Sequence, residues 1–171
     1  WINCGLRRPL RQLFSAFRYE FFENVVVFLH AWEWMALAVV VIGLALDWLL
    51  PAYLLTLLLS LEDRIVIGVL LIVIGLGLAV SALGLFRSAK THAEPWKPST
   101  ALVTEGIFKW LRNPMYVGVT SILAGLSILL ASDWMLVMTI VFVPVIHFGV
   151  IKREERYLTV KFGEPYRQYI A

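Results

Sequence analysis

The sequence predicts an all-α fold, a polytopic membrane helix bundle of about four transmembrane helices with further segments lying at the interface. Charged residues make up only 16% of the chain, against about 25% in soluble domains. Mean hydropathy is +0.80. Apolar runs approaching the ~20 residues that cross a hydrocarbon core recur along most of the 171 residues, which leaves no room for a large soluble domain. The expected organisation is an amphipathic membrane-surface segment over 1–24, then one membrane domain over 25–171, with the chemistry in its half from 87 to 171.

Arg7, Arg8, Arg11 and Arg18 alternate with Phe14, Phe17, Tyr19, Phe21 and Phe22 ahead of the first apolar run, the pattern of a helix lying on a membrane surface. The run after Glu23 is too long and too charged at its edges for a signal peptide. Val25 to Leu46 is a first span, bounded by Asp47. Trp48 to Leu61 is interrupted by Pro51 and too short to cross alone, so it reads as an interfacial or re-entrant piece. Ile65 to Phe86 is a second span. Its Gly77, Ser81, Gly84 and Ser88 fall four, three and four residues apart, which predicts a face of small side chains for close helix packing.

Arg87 to Arg112 is the one long polar stretch, and Pro95 and Pro98 make it an irregular connection. Met115 to Ala131 is a third span, with Gly118, Ser121 and Gly125 on one face. Ser132 and Asp133 form a tight turn, and Trp134 to Ile151 is a fourth span with a kink expected at Pro144. A charged amphipathic tail follows from Lys152.

With four crossings, the amino-terminal segment, the Arg87 to Arg112 stretch and the tail share one side, and they hold fourteen of the fifteen Lys and Arg residues; Arg64 alone lies opposite. That asymmetry puts both termini in the cytoplasm. The net charge of +3 therefore reflects topology, and no nucleic-acid partner is expected. Cys4 is the single cysteine, which excludes an internal disulfide and a multi-cysteine metal site. No metal is expected, and His92 is expected to be solvated.

Two polar clusters then meet on the cytoplasmic side: "TEGIFKWLRNPMY" leading into the third span and "KREERYLTVKFGEPYRQY" following the fourth. Arg112 offers a planar cation for a carboxylate or phosphate. Pro114 starts a helix whose free N–H groups attract anions, and Asn113 and Tyr116 add donors and acceptors beside it. Glu154 and Glu155 can hold an ammonium or sulfonium charge. Together these groups suit a zwitterion better than a simple anion. His147 lies seven residues before Glu154, on the same stripe of a regular helix, and either packs or serves the site.

"ALVTEGIFKWLRNPMYVGV", followed by "EERYLTVKFGEPYRQY", resembles the superfamily of isoprenylcysteine carboxyl methyltransferases and phospholipid methyltransferases. The likeness runs from Arg87 to Tyr169. Arg112-Asn113-Pro114-x-Tyr116 is similar to the Asn form, common among bacterial members, of the family's Arg-His-Pro-x-Tyr element. The paired glutamates before a Phe-Gly-x-x-Tyr tail agree with it. The resemblance implies a cofactor site for S-adenosylmethionine, released as S-adenosylhomocysteine, at the cytoplasmic ends of the last two helices. Leu102, Val103, Gly106, Arg112, Asn113, Tyr116 and Glu154 would bind this cofactor, and Arg153 and Glu155 would be the catalytic pair nearer the acceptor. It further implies a bacterial inner-membrane enzyme working beside membrane lipid on a lipophilic acceptor: a prenylated cysteine first, with a phospholipid amine or a small apolar molecule as alternatives. An NADPH-dependent reductase similar to the sterol reductases, or a non-catalytic membrane scaffold, is the competing reading.

Overall fold

The computed structural model describes residues 33–89 and 101–170, all of whose regular structure is helical. The amphipathic segment expected over 1–24 and the proline-rich part of the polar stretch, with His92, lie outside the described residues. In chain order the helices are α1 (33–49), α2 (Leu54–Leu58), α3 (Leu61–Ser88), a 3-10 turn at Gly106–Lys109, α4 (Pro114–Leu129), α5 (Asp133–Ile146), a π-helical turn at His147–Ile151, α6 (Lys152–Phe162) and α7 (Glu164–Ile170).

Two of these units are long and apolar enough to cross a membrane: α3, and the continuous helix from Asp133 to Phe162. With 16 residues, α4 is shorter, about 24 Å at 1.5 Å per residue. Outward-facing side chains on α3 such as Val66, Val73 and Val80 are exposed, as expected where lipid rather than water is the surrounding medium. The helix begins with a capping box, in which the Ser60 hydroxyl accepts from the Asp63 N–H while the Asp63 carboxylate accepts from the Ser60 N–H.

The second and third apolar runs pack through glycine, but not through the face expected on α3. A side chain at Gly75 would stand 2.5 Å from the Gly118 carbonyl oxygen, and one at Gly68 would stand 2.9 Å from that of Gly125. Gly68 and Gly75 are seven residues apart, as are Gly118 and Gly125, so two antiparallel backbones touch at two heptad-spaced points, and buried Ala82 continues the same α3 face. Gly77 and Gly84, predicted to make this contact together with Ser81 and Ser88, face outward, and a side chain at either glycine would meet nothing within 4 Å. Two rows of small residues existed on α3, and spacing alone did not say which one met a partner.

The core lies between α1, α4 and α5, where Val39, Tyr116, Leu123, Met135, Phe142, Ile146 and Val150 are buried together. At one end of the bundle a polar clasp joins α1, α2 and the α4–α5 turn. The Asp133 carboxylate accepts the N–H groups of Leu54 and Leu55 at 2.8 and 2.9 Å. Asp47 accepts from the Ser132 hydroxyl and from the Trp134 N–H, and the Trp134 indole donates to the Leu50 carbonyl. The segment after Trp48 is thus a short helix tied down to that turn, in keeping with an interfacial piece.

Candidate functional site

The opposite end of the α4–α5 hairpin collects the chemical groups. Phe86 at the end of α3 meets Phe108 of the 3-10 turn edge-on, with ring centroids 5.2 Å apart, and Phe108 is buried. Gly106 begins that turn at φ +60°, a conformation that disfavours any other residue, and a side chain there would strike Leu85 at 2.8 Å. The chain then passes Arg112 and Asn113 and enters α4 at Pro114. The Asn113 side chain makes no capping bond to the first N–H groups of α4.

The Tyr116 hydroxyl, one turn into α4, donates to the Glu154 carboxylate at 2.9 Å. This bond joins the two sequence clusters across 38 residues. Glu154 reaches Tyr116 because of the π turn. Phe142, Ile146 and Val150 are buried at spacings of four, and Glu154 follows at four again. In a regular helix each four-residue step advances about 40°, so three of them would turn the stripe by about 120°. The wider turn at His147–Ile151, just after Pro144, takes up the excess. Just after Pro144, where a kink is expected, the structure shows a change of helical register. It also removes His147 from the Glu154 stripe: the histidine is exposed, its ring edge-on to Phe148 at 5.0 Å.

Gly163, at φ +63°, ends α6 and turns the chain into α7, which folds back over the same end. The Tyr169 hydroxyl donates to the Phe108 carbonyl at 2.7 Å, and the Arg112 guanidinium donates to the Ile170 carbonyl. Tyr166 is buried, its ring 6.0 Å from that of Tyr169. Burial raises the Tyr166 phenol above its ordinary pKa; Glu155 and Glu154 push it further the same way, as Tyr169 does less strongly, and Arg112 opposes them. Burial likewise raises Tyr169, with Arg112 acting against it. Both phenols stay protonated at neutral pH.

Of the residues expected to form the site, Tyr116 and Glu154 are in direct contact, Glu155 and Arg112 lie close enough to act on Tyr166, and Asn113 and Gly106 shape the approach to α4. Leu102 and Val103 are half-buried in the segment before the 3-10 turn, and Arg153 is exposed on α6. The residues of α7 were missed individually. Their signal was present in the spacing Phe162-Gly163-x-x-Tyr166, where glycine reverses the chain and tyrosine returns to the site. Among the described residues no group of His, Cys, Asp and Glu side chains could hold a metal ion.

A carboxylate held by a phenol, a second carboxylate beside it, a guanidinium and the start of a helix lie together at one end of an apolar bundle, a donor set suited to a zwitterionic ligand. Comparison of the sequence with protein families matches residues 63–165 to phospholipid methyltransferase. The match begins within α3, ahead of the polar stretch where the motif likeness starts, and runs into α7. No curated protein and no solved structure matches the chain. The chain belongs to the phospholipid methyltransferase family, within the integral membrane superfamily that also contains the isoprenylcysteine carboxyl methyltransferases.

Proposed function

We propose that the protein is an S-adenosylmethionine-dependent methyltransferase that modifies a lipophilic acceptor at the cytoplasmic surface of a bacterial inner membrane, with four spans and both termini cytoplasmic. The observation that carries this reading is the Tyr116–Glu154 bond, which unites the family's two motif halves at one end of an apolar bundle. The bound cofactor supplies an electrophilic methyl group on a sulfonium.

In this reading Glu154, fixed by Tyr116, balances positive charge on the cofactor, while Arg112, Asn113 and the first turn of α4 serve its carboxylate end. Leu102, Val103 and Gly106 line it through backbone and packing. Methyl displacement needs alignment and exclusion of water more than acid or base, and the half-buried Tyr116–Glu154 contact would serve the first. Arg153 and Glu155 stand on the acceptor side. A carboxylate acceptor requires no base, whereas an amine must lose a proton, and in this reading Glu155 receives it.

The motif likeness favours a prenylated cysteine, and the family match gives a phospholipid amine equal support. Proteoliposomes supplied with methyl-labelled S-adenosylmethionine test both. Label should enter the lipid phase and fall at least tenfold with Glu154→Gln. Alkali-labile label marks a methyl ester and alkali-stable label an N-methyl amine. Oxidation of NADPH without methyl incorporation would replace this reading with the reductase.

A further inference from the structure

From Asp133 to Phe162 the chain is helical for 30 residues, about 45 Å at 1.5 Å per residue. A hydrocarbon core is about 30 Å thick and takes up about 20 of them. A helix that enters the core at Asp133 therefore leaves it at about Lys152, which is the first cation along its length. Beyond that point α6 sorts its charges by side. Glu154 and Glu155 are half-buried, the former against Tyr116, whereas Lys152 and Arg156 are exposed. Phe148, Lys152, Arg156 and Val160 follow one another in four-residue steps and all are exposed, Phe148 at 63% and Val160 at 83%.

On a solvated helix such cations pair with acids three or four residues away. Lys152 has Glu155 at that spacing, yet among the described residues neither Lys152 nor Arg156 makes an ion pair. The Lys152 ammonium instead lies 4.6 Å from the centre of the Phe148 ring, four residues back toward the apolar part of the helix.

We propose that this row is a docking surface for an anionic phospholipid, with the lipid phosphate between Lys152 and Arg156 and the acyl chains along Phe148 and the exposed Val145 and Val141. The order along the helix is apolar stem, cation at the edge of the core, second cation one turn farther out, and it matches the order of chain and phosphate in the lipid. The charge is complementary as well, since no acid shares the row. None of these residues belongs to the methyl-donor or acceptor groups, so the inference needs only that the Asp133–Phe162 helix spans the membrane and stands apart from the methyltransferase reading.

The full chain is reconstituted into phosphatidylcholine vesicles holding a trace of spin-labelled phosphatidylglycerol or, separately, spin-labelled phosphatidylcholine. The immobilised fraction of each label, read by electron paramagnetic resonance, gives their relative affinity for the protein. Wild type should favour phosphatidylglycerol by about tenfold. The pair Lys152→Gln and Arg156→Gln should lower that preference by about fivefold or more, the factor that corresponds to one basic residue beside anionic lipid. The pair Lys152→Arg and Arg156→Lys keeps both charges and should keep the preference. Lys109→Gln with Arg167→Gln removes two exposed cations from the same end of the bundle and should change it by less than about twofold. All these positions are exposed, so each variant should melt with the wild type. A wild type that binds both lipids equally overturns the docking surface. Equal losses in the two neutralised pairs also overturn it, because the attraction would then belong to the basic end as a whole.

Discussion

The two ends of the α4–α5 hairpin use acidic residues in opposite ways. At the turn, Asp133 and Asp47 take N–H and hydroxyl donors from α2, Ser132 and Trp134, and the result joins helix ends into one piece. At the other end, among the described residues, Glu154 takes one phenol from Tyr116 with Glu155 nearby, and the Asn113 side chain does not cap the start of α4. Carboxylates at the turn are satisfied by the chain that surrounds them. Those beside α4 leave capacity for a ligand. The contrast teaches that the polar groups of this hairpin divide into structural and chemical sets by how many of their bonds the protein itself supplies.

Substitutions at the two ends should separate stability from ligand affinity. Gly75→Leu should have the largest effect because it drives α3 from α4 beneath both ends. Overpacking typically costs about 1–3 kcal/mol, and contact with a backbone carbonyl puts this site near the upper limit. Thermal melting in detergent should fall together with ligand affinity. Asp133→Ala should come next: it strands the Leu54 and Leu55 N–H groups and costs about 2 kcal/mol. Melting should drop, while S-adenosylhomocysteine affinity per folded molecule holds. Tyr116→Phe reverses that pattern, lowering affinity by about threefold to tenfold through loss of the Glu154 contact, with melting little changed. Gly77→Leu should touch neither end, staying within about 0.5 kcal/mol, since the position faces outward. Equal damage from Gly75→Leu and Gly77→Leu would contradict the packing described for α3.

Helices and turn were legible because each depended on local pattern. Apolar runs marked the helices and Pro114 marked the start of α4, while the turn fell one to two residues earlier than Ser132–Asp133, at 130–132, with Ser132 capping α5 and Asp133 already inside it. The meeting of Tyr116 with Glu154 was legible at one remove, as two clusters returned to the same side by a hairpin. Three things were not. The packing face of α3 depended on which of two small-residue rows met Gly118 and Gly125, a property of the partner as much as of α3. Alignment of Glu154 depended on a π turn, which breaks the 3.6-residue period that sequence reading assumes and so misassigned His147. The return of α7 depended on Gly163 adopting φ +63°, and glycine permits that conformation without announcing it.

Calorimetric titration of the purified full chain with S-adenosylhomocysteine, beside Glu154→Gln, decides whether this end of the bundle holds a methyl donor. The wild type should bind with micromolar affinity, and a variant that melts normally should lose at least tenfold. Undetectable binding by a folded wild type, or equal binding by both proteins, would contradict the assignment of Glu154 and its end of the bundle to a methyl-donor site.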